Sequence, residues 1–101
     1  MVEIRISSEA ESELDEIWLY LARTTDNQEI ASRVIDDITG HFWLLARHPY
    51  LGRRRDDDLK PGLRSLVVDE YVVIYRIETE SAVLILHVLH GRRDIESLFR
   101  S

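Results

Sequence analysis

The sequence predicts a single α+β domain of 101 residues in which a strand, a helical hairpin and a three-stranded antiparallel meander follow one another. Two stretches carry apolar residues at helical spacing, and only a short polar segment separates them. Three strand-length apolar segments follow close together. No low-complexity tract or linker divides the chain, and its length supports one core, so we expect the domain to span residues 1–101.

The chain begins with a short strand and a first helix. Residues 2–6 alternate apolar and charged side chains, which is typical of a strand. Ser8 and Glu11 have the spacing of a capping box, in which the serine accepts from the backbone and the glutamate reaches back to it. The helix that starts there carries one apolar stripe at i, i+3, i+4 and i+7, formed by Leu14, Ile17, Trp18 and Leu21.

A second helix is predicted from about Gln28 to Arg47, after the interruption at residues 24–27. Pro49 forbids its extension. Its apolar face comprises Ala31, Val34, Ile35, Ile38, Phe42 and Leu45, while Trp43 and Leu44 lie off this stripe. Two helices joined by a short loop form an antiparallel hairpin.

Three segments predict an antiparallel meander, namely residues 63–68, 71–77 and 83–89, with the first strand added at an edge. The apolar run 83–89 reads as a central strand buried on both faces. The hairpin covers one face of this sheet, so the other is expected to remain open and partly apolar, as a partner-binding surface would be. Residues 94–99 have room for one helical turn or two.

The charge distribution limits the functions open to this protein. The net charge is −6, with ten Asp/Glu against four Arg in residues 1–50 and nine against nine in the rest. This balance argues against tight, unassisted binding of nucleic acid. Twelve of thirteen basic residues are arginine, which favours bidentate recognition of carboxylates or phosphates. The chain has no cysteine and no signal peptide or membrane span, so we expect a cytoplasmic protein.

The end of the last strand holds the first candidate functional residues, His90, Arg92 and Arg93, because groups at strand ends are held rigidly and remain accessible. Arg64 is the best single candidate for a functional cation. Its alternative role is structural, with the guanidinium stacked on a tyrosine of strand 71–75. For His90 the alternative is a structural hydrogen bond, and for the two arginines an ion-pair network with Asp94.

Other polar clusters are assigned structural roles. The loop of three arginines and three aspartates at 53–58 is expected to neutralise itself in water. His87 is expected to pack inside, and its spacing from His90 places the two imidazoles on opposite faces of the strand. We predict no metal site and no cofactor, since no ligand cluster, phosphate loop or Ser-His-Asp set occurs.

Four motifs in this order resemble the toxins of the RelE/ParE superfamily, and the likeness covers nearly the whole chain. The opening helix and the closing His-Gly-x-Arg-Asp are most similar to the ParE branch. The motifs are Pro49-Tyr50-Leu51-Gly52-Arg53, Pro61-Gly62-Leu63-Arg64-Ser65, Tyr71-Val72-Val73-Ile74-Tyr75-Arg76 and Val88-Leu89-His90-Gly91-Arg92-Arg93-Asp94.

This resemblance implies the RelE/ParE-like fold and a toxin of a type II toxin–antitoxin module, neutralised by a ParD-like antitoxin that folds around it. It also implies inhibition of DNA gyrase by binding rather than by catalysis. The candidates for target contact are Arg64, His90, Arg92 and Arg93. Those for antitoxin contact are Trp43, Leu44, Tyr71, Tyr75 and Arg76.

Two alternatives remain. A ribosome-dependent endoribonuclease of RelE type would use Arg64, Arg93 and a histidine. The nuclease branch usually has a tyrosine near its C-terminus, where this chain has Phe99, and a phenyl ring cannot transfer a proton. We therefore predict that the protein is not an enzyme. The second alternative is a non-toxic relative that binds only its antitoxin.

Overall fold

The computed structural model describes residues 1–99 and confirms an α+β fold with a helical hairpin packed on a five-stranded sheet. The elements are β1 (Glu3–Ile6), α1 (Ser8–Thr25), α2 (Gln28–Arg47), β2 (Arg53–Arg54), β3 (Leu63–Val68), β4 (Tyr71–Thr79), β5 (Ala82–His90) and α3 (Ile95–Leu98). Within this part of the chain, no helix is long and apolar enough to cross a membrane.

The sheet has the strand order β1-β5-β4-β3-β2. The three meander strands pair antiparallel, as predicted, and β1 lies at the predicted edge but runs parallel to β5. The two-residue strand β2, which pairs with β3, was not predicted. Because β1 and β4 flank it, β5 is an interior strand, which confirms the interpretation of its apolar sequence.

The first helix begins one residue earlier than predicted, because Ser7 rather than Ser8 is its N-cap. The Ser7 hydroxyl accepts from the backbone N–H of Ala10 at 3.0 Å and donates to the Leu86 carbonyl at 2.8 Å. Ser8 is the first helical residue, so the predicted capping box with Glu11 does not form. The bond to Leu86 favours Ser7 over Ser8 as the N-cap, since it ties the start of the helix to β5.

The main core lies between the hairpin and one face of the sheet. It includes Ile38, Phe42 and Leu45 from α2 and Tyr75 and Ile85 from the sheet, with Leu14 and Ile17 packed against it. The predicted apolar stripes of both helices therefore face the sheet.

The opposite face of the sheet is not open, which corrects the prediction. Ile95 of α3 joins Leu63, Val72, Ile74 and Leu89 in a second buried cluster, and Leu59 and Phe99 pack against it. The short C-terminal helix and the loop before β3 thus cover apolar strand residues that would otherwise face water.

A buried polar anchor joins the loop after α2 to the sheet. The Tyr75 hydroxyl donates to the Pro49 carbonyl at 2.8 Å and accepts from the Gly52 N–H, also at 2.8 Å. A Cβ on Gly52 would lie 2.5 Å from the Tyr75 hydroxyl oxygen, so this position requires glycine. Burial raises the pKa of Tyr75, although the Gly52 N–H and the nearby Arg64 oppose this shift.

Candidate functional site

A groove of about 570 Å³ lies between α1 and the end of β5; we call it the strand-end groove. Ile17 and Leu21 of α1 contribute apolar surface, and the buried Val88 and Leu89 line the β5 side. Glu13, Glu16 and Glu70 supply carboxylates, and His90, Arg92 and Arg93 supply cations or an imidazole. Tyr20 and Tyr71 complete the lining. Apolar surface combined with charges of both signs suits contact with a protein partner.

The turn after β5 positions the basic residues at this groove. The Gly91 N–H donates to the Glu70 carbonyl at 2.8 Å, and the Arg93 N–H donates to the His90 carbonyl at 3.0 Å. A Cβ on Gly91 would lie 3.2 Å from the same Glu70 oxygen, so glycine permits the close approach. The side chains of Arg92 and Arg93 emerge from this turn into solvent.

The imidazole of His90 is fixed by the same turn. The Arg92 N–H donates to Nδ1 of His90 at 3.1 Å, so Nδ1 is an acceptor and the proton of the neutral ring lies on Nε2. Nε2 is 3.9 Å from the Glu70 carboxylate, and the ring meets Tyr71 edge-on at a centroid distance of 5.5 Å. The predicted structural hydrogen bond of His90 is thus present, with a backbone N–H in place of a carbonyl.

Arg64 lies apart from this group. Its guanidinium donates to the carbonyls of Gly52 at 2.8 Å and Tyr50 at 3.3 Å, and it stacks on the Tyr50 ring at 5.1 Å. The tyrosine on which it stacks is therefore in the loop, not in strand 71–75. Arg64 and His90 pair with β4 at positions four residues apart, or about 13 Å along the strand. The structure brings together only three of the four predicted target contacts.

Two of the five predicted antitoxin contacts are core residues. Tyr75 is fully buried and offers no surface to a partner, and Tyr71 is only 7% exposed, at the lining of the strand-end groove, which corrects their assignment as antitoxin contacts. Both side chains point from β4 into the main core. Trp43 and Leu44 are exposed on α2, as their position off the stripe predicts, and Arg76 is exposed beside Glu78 at 3.4 Å.

Sequence reasoning missed Glu13, which closes the edge of β5 beyond the end of β1. Its carboxylate accepts from the Val88 N–H at 3.0 Å and lies 3.1 Å from Nδ1 of His87. His87 is therefore half-buried and hydrogen-bonded to Glu13 rather than packed inside, and its ring meets Phe99 edge-on at 5.6 Å. The sequence could have indicated that Glu13 faces the sheet, since it precedes Ile17 of the apolar stripe by four residues and so lies on the same side of the helix.

Other predictions about polar groups are confirmed. His87 and His90 face opposite sides of the sheet, because they pair with Ile74 of the second cluster and Tyr71 of the main core. The loop 53–58 neutralises itself through Arg54–Asp56 at 2.9 Å and Arg55–Asp58 at 2.6 Å. These contacts lower the pKa of both aspartates: for Asp56 the Gly62 N–H is the main cause, and for Asp58 the Arg55 hydrogen bond.

The turn between β3 and β4 places Asp69 unfavourably beside a second acid, Asp37 of α2. A hydrogen bond that protonated Asp69 donates to the Asp37 carboxylate of α2, and then the charge of Asp37, raise the pKa of Asp69, while His41 partly opposes the shift. Asp69 also has a positive φ of 54°, which asparagine or aspartate tolerates better than most residues. This turn also supplies Glu70 to the strand-end groove.

Comparisons with known proteins converge on one family. The sequence model of the ParE toxin of the type II toxin–antitoxin system parDE matches residues 4–95. Toxin ParE3 of Caulobacter vibrioides is 40% identical over 67 residues, covering 66% of this chain and 65% of that relative.

Solved structures share the fold. A chain of the chromosomal ParDE system from P. aeruginosa superposes with a TM-score of 0.76 at 21% identity, covering 89% of this chain and 96% of its own. A chain of the toxin–antitoxin complex RelBE2 from Mycobacterium tuberculosis gives 0.59 at 26% identity, covering 88% and 96%.

Proposed function

Because the chain belongs to the ParE toxin family of type II toxin–antitoxin systems, we propose that it is a cytoplasmic toxin that inhibits DNA gyrase by binding and is neutralised by a ParD-like antitoxin. The observation that supports a binding mechanism is the strand-end groove. Its apolar surface is bordered by the exposed side chains of Arg92 and Arg93, an arrangement suited to anchoring a partner protein through a few residues.

The geometry favours binding over RNA cleavage. General acid–base catalysis needs a proton carrier directed at the substrate. The Phe99 ring packs against His87 and the second cluster, and it has no proton to donate. Nδ1 of His90 accepts a backbone N–H and its Nε2 lies 3.9 Å from the Glu70 carboxylate, and the carboxylate of Glu13 is engaged with His87 and the backbone of β5. Arg64, the other cation of the nuclease hypothesis, holds two loop carbonyls.

An antitoxin partner is supported by the chain's similarity to members of the ParDE and RelBE2 toxin–antitoxin systems. Arg76 is the predicted contact whose charge suits an acidic antitoxin segment, and its side chain lies exposed on β4. We expect charge reversal at Arg76 to weaken antitoxin binding while leaving inhibition of the target intact.

The test combines purified, antitoxin-free protein with gyrase and plasmid DNA, and follows supercoiling and trapped cleaved DNA. We expect inhibition by the wild type and a loss of about tenfold or more in Arg92→Ala and Arg93→Ala, since interface arginines are frequent hot spots. Arg5→Ala is the matched control, because Arg5 lies on the edge strand β1 and pairs, among residues 1–99, with the exposed Glu3 and the partly exposed Glu78. Circular dichroism checks that each variant is folded.

A translating-ribosome assay run in parallel separates the alternatives. Cut messenger RNA with unaffected gyrase would contradict the proposal and establish a nuclease. A folded protein that is silent in both assays but binds an antitoxin would be a non-toxic relative.

A further inference from the structure

The outward face of α2 carries a stripe that the fold does not cover. Asp36, Gly40, Trp43 and Arg47 follow one another at intervals of four, three and four residues, so they lie along one side of the helix. All four are exposed, and the Trp43 side chain is 64% exposed. The buried residues of α2, among them Ile38 and Leu45, lie on its other side. A large aromatic side chain therefore stands on an outward helix face.

Gly40 lies at the middle of this stripe without an internal reason to be glycine. It is in the interior of a 20-residue helix, where glycine is unfavourable relative to alanine. A Cβ built on Gly40 would meet nothing within 4 Å, so packing within the described chain does not require its absence. A glycine beside an exposed tryptophan instead leaves space for another molecule to approach the helix closely.

We propose that this face binds a second copy of the same chain, with the two α2 helices antiparallel across a twofold axis. In this arrangement Trp43 of each copy packs over Gly40 of the other. The same register places Asp36 of each copy opposite Arg47 of the other, because both residue pairs are centred on the same point of the helix. A twofold interface requires one patch complementary to itself, and this stripe meets that condition.

The charges favour a second copy over an acidic peptide. Asp36 and Arg47 are eleven residues apart, or about 16 Å along the helix, too far to pair with each other within one chain. An antiparallel copy satisfies both charges at both ends of the stripe. An acidic segment laid along the same face would meet Arg47 favourably but would be repelled by Asp36.

Sedimentation velocity over a concentration series of the antitoxin-free protein tests this pairing. We expect a reversible monomer–dimer equilibrium for the wild type. Asp36→Arg alone and Arg47→Asp alone each create two like-charge contacts across the axis, and we expect each to weaken dimerisation by about tenfold.

Mixing the two variants provides the sharpest control. A heterodimer of Asp36→Arg with Arg47→Asp regains two opposite-charge contacts, so the 1:1 mixture should dimerise as the wild type does. The double variant should do the same. This rescue depends on contact between copies, and a general loss of folding in the single variants cannot produce it.

Changes at the centre of the stripe supply a second readout. Trp43→Ala should weaken dimerisation, and so should Gly40→Ala, even though alanine strengthens the helix of the monomer. A wild type that stays monomeric at every concentration, or single variants that dimerise unchanged, would overturn the proposal. It would also be overturned if antitoxin binding, rather than self-association, were lost in both charge variants.

Discussion

Two arginine-bearing regions of this protein show opposite uses of the same side chain. At the loop anchor, formed by Pro49, Gly52, Arg64 and Tyr75, the guanidinium and the hydroxyl are engaged by backbone groups of the same chain. At the strand-end groove, the turn is held by the backbone of residues 90–93 and Glu70, and the arginine side chains extend into solvent.

The groups that surround an arginine in these motifs decide its role. Arg64 and Arg93 both belong to the motifs that suggested the family, and both were predicted to touch the target. Arg64 holds two loop carbonyls and a tyrosine ring, so its removal first loosens the fold. Removal of Arg92 or Arg93 leaves the backbone bonds of the turn in place.

The largest effect that sharpens this contrast is expected from Gly52→Ala. The new methyl group would approach the Tyr75 hydroxyl oxygen to 2.5 Å and the Ser65 carbonyl to 2.8 Å. This crowding, together with the distortion of the Tyr75–Gly52 hydrogen bond in the variant, should lower the free energy of unfolding by ~3 kcal/mol. Urea denaturation measures it.

Gly40→Ala is the matched control, because its methyl group meets no neighbour within 4 Å. At concentrations low enough to keep the protein monomeric, it should raise the free energy of unfolding by up to ~1 kcal/mol. Equal destabilisation by both substitutions would show that the loss in Gly52→Ala does not come from crowding at the anchor.

The next largest effect on stability is expected from Arg64→Ala, and it should exceed the effect of Arg92→Ala. Loss of two charge-assisted bonds to carbonyls should lower the free energy of unfolding by ~1–2 kcal/mol in the first variant. The second should change it by less than ~0.5 kcal/mol, as is usual for exposed side chains. Urea denaturation and the gyrase assay are run on both proteins.

The contrast between the loop anchor and the strand-end groove would be contradicted if Arg92→Ala lowered the free energy of unfolding more than Arg64→Ala does. It would be sharpened if Arg64→Ala lost inhibition only in proportion to its unfolded fraction, while Arg92→Ala lost inhibition with its fold intact.

The main elements were predictable from sequence because periodicity and apolar run length are local properties, and the stripes of α1 and α2 and the three strand-length apolar segments of the meander report them directly. The errors arose where distant segments meet. Ser7 became the cap through a bond to Leu86, and Ile95 covered the second face of the sheet. The parallel pairing of β1 with β5 likewise depends on segments almost 80 residues apart.

The candidate site was predictable in part for the same reason. His90, Arg92 and Arg93 are neighbours in sequence, so their grouping needed only a strand end. Arg64 was misplaced because its partners lie in an irregular loop, whose path no periodicity reveals. Glu70 was missed because it reaches the groove from the turn between two other strands.

The smallest effect concerns Asp69, in the turn that forms one side of the groove. The Asp37 carboxyl raises its pKa, so in the folded protein the protonated form is favoured relative to the ordinary value of 3.8. Ionisation therefore costs stability as the pH rises through the raised pKa, and the cost is absent below 3.8. Asp69→Asn removes the charge and tolerates the positive φ.

We therefore expect the melting temperature of Asp69→Asn to exceed that of the wild type at neutral pH, and the difference to vanish on acidification below 3.8. Asp57→Asn, at an exposed loop position, is the control and should show no such difference. An unchanged melting temperature in both variants would mean that the groove side carries no electrostatic cost. A gain confined to Asp69→Asn would show that this side, unlike the loop anchor, retains charge repulsion that folding leaves uncompensated.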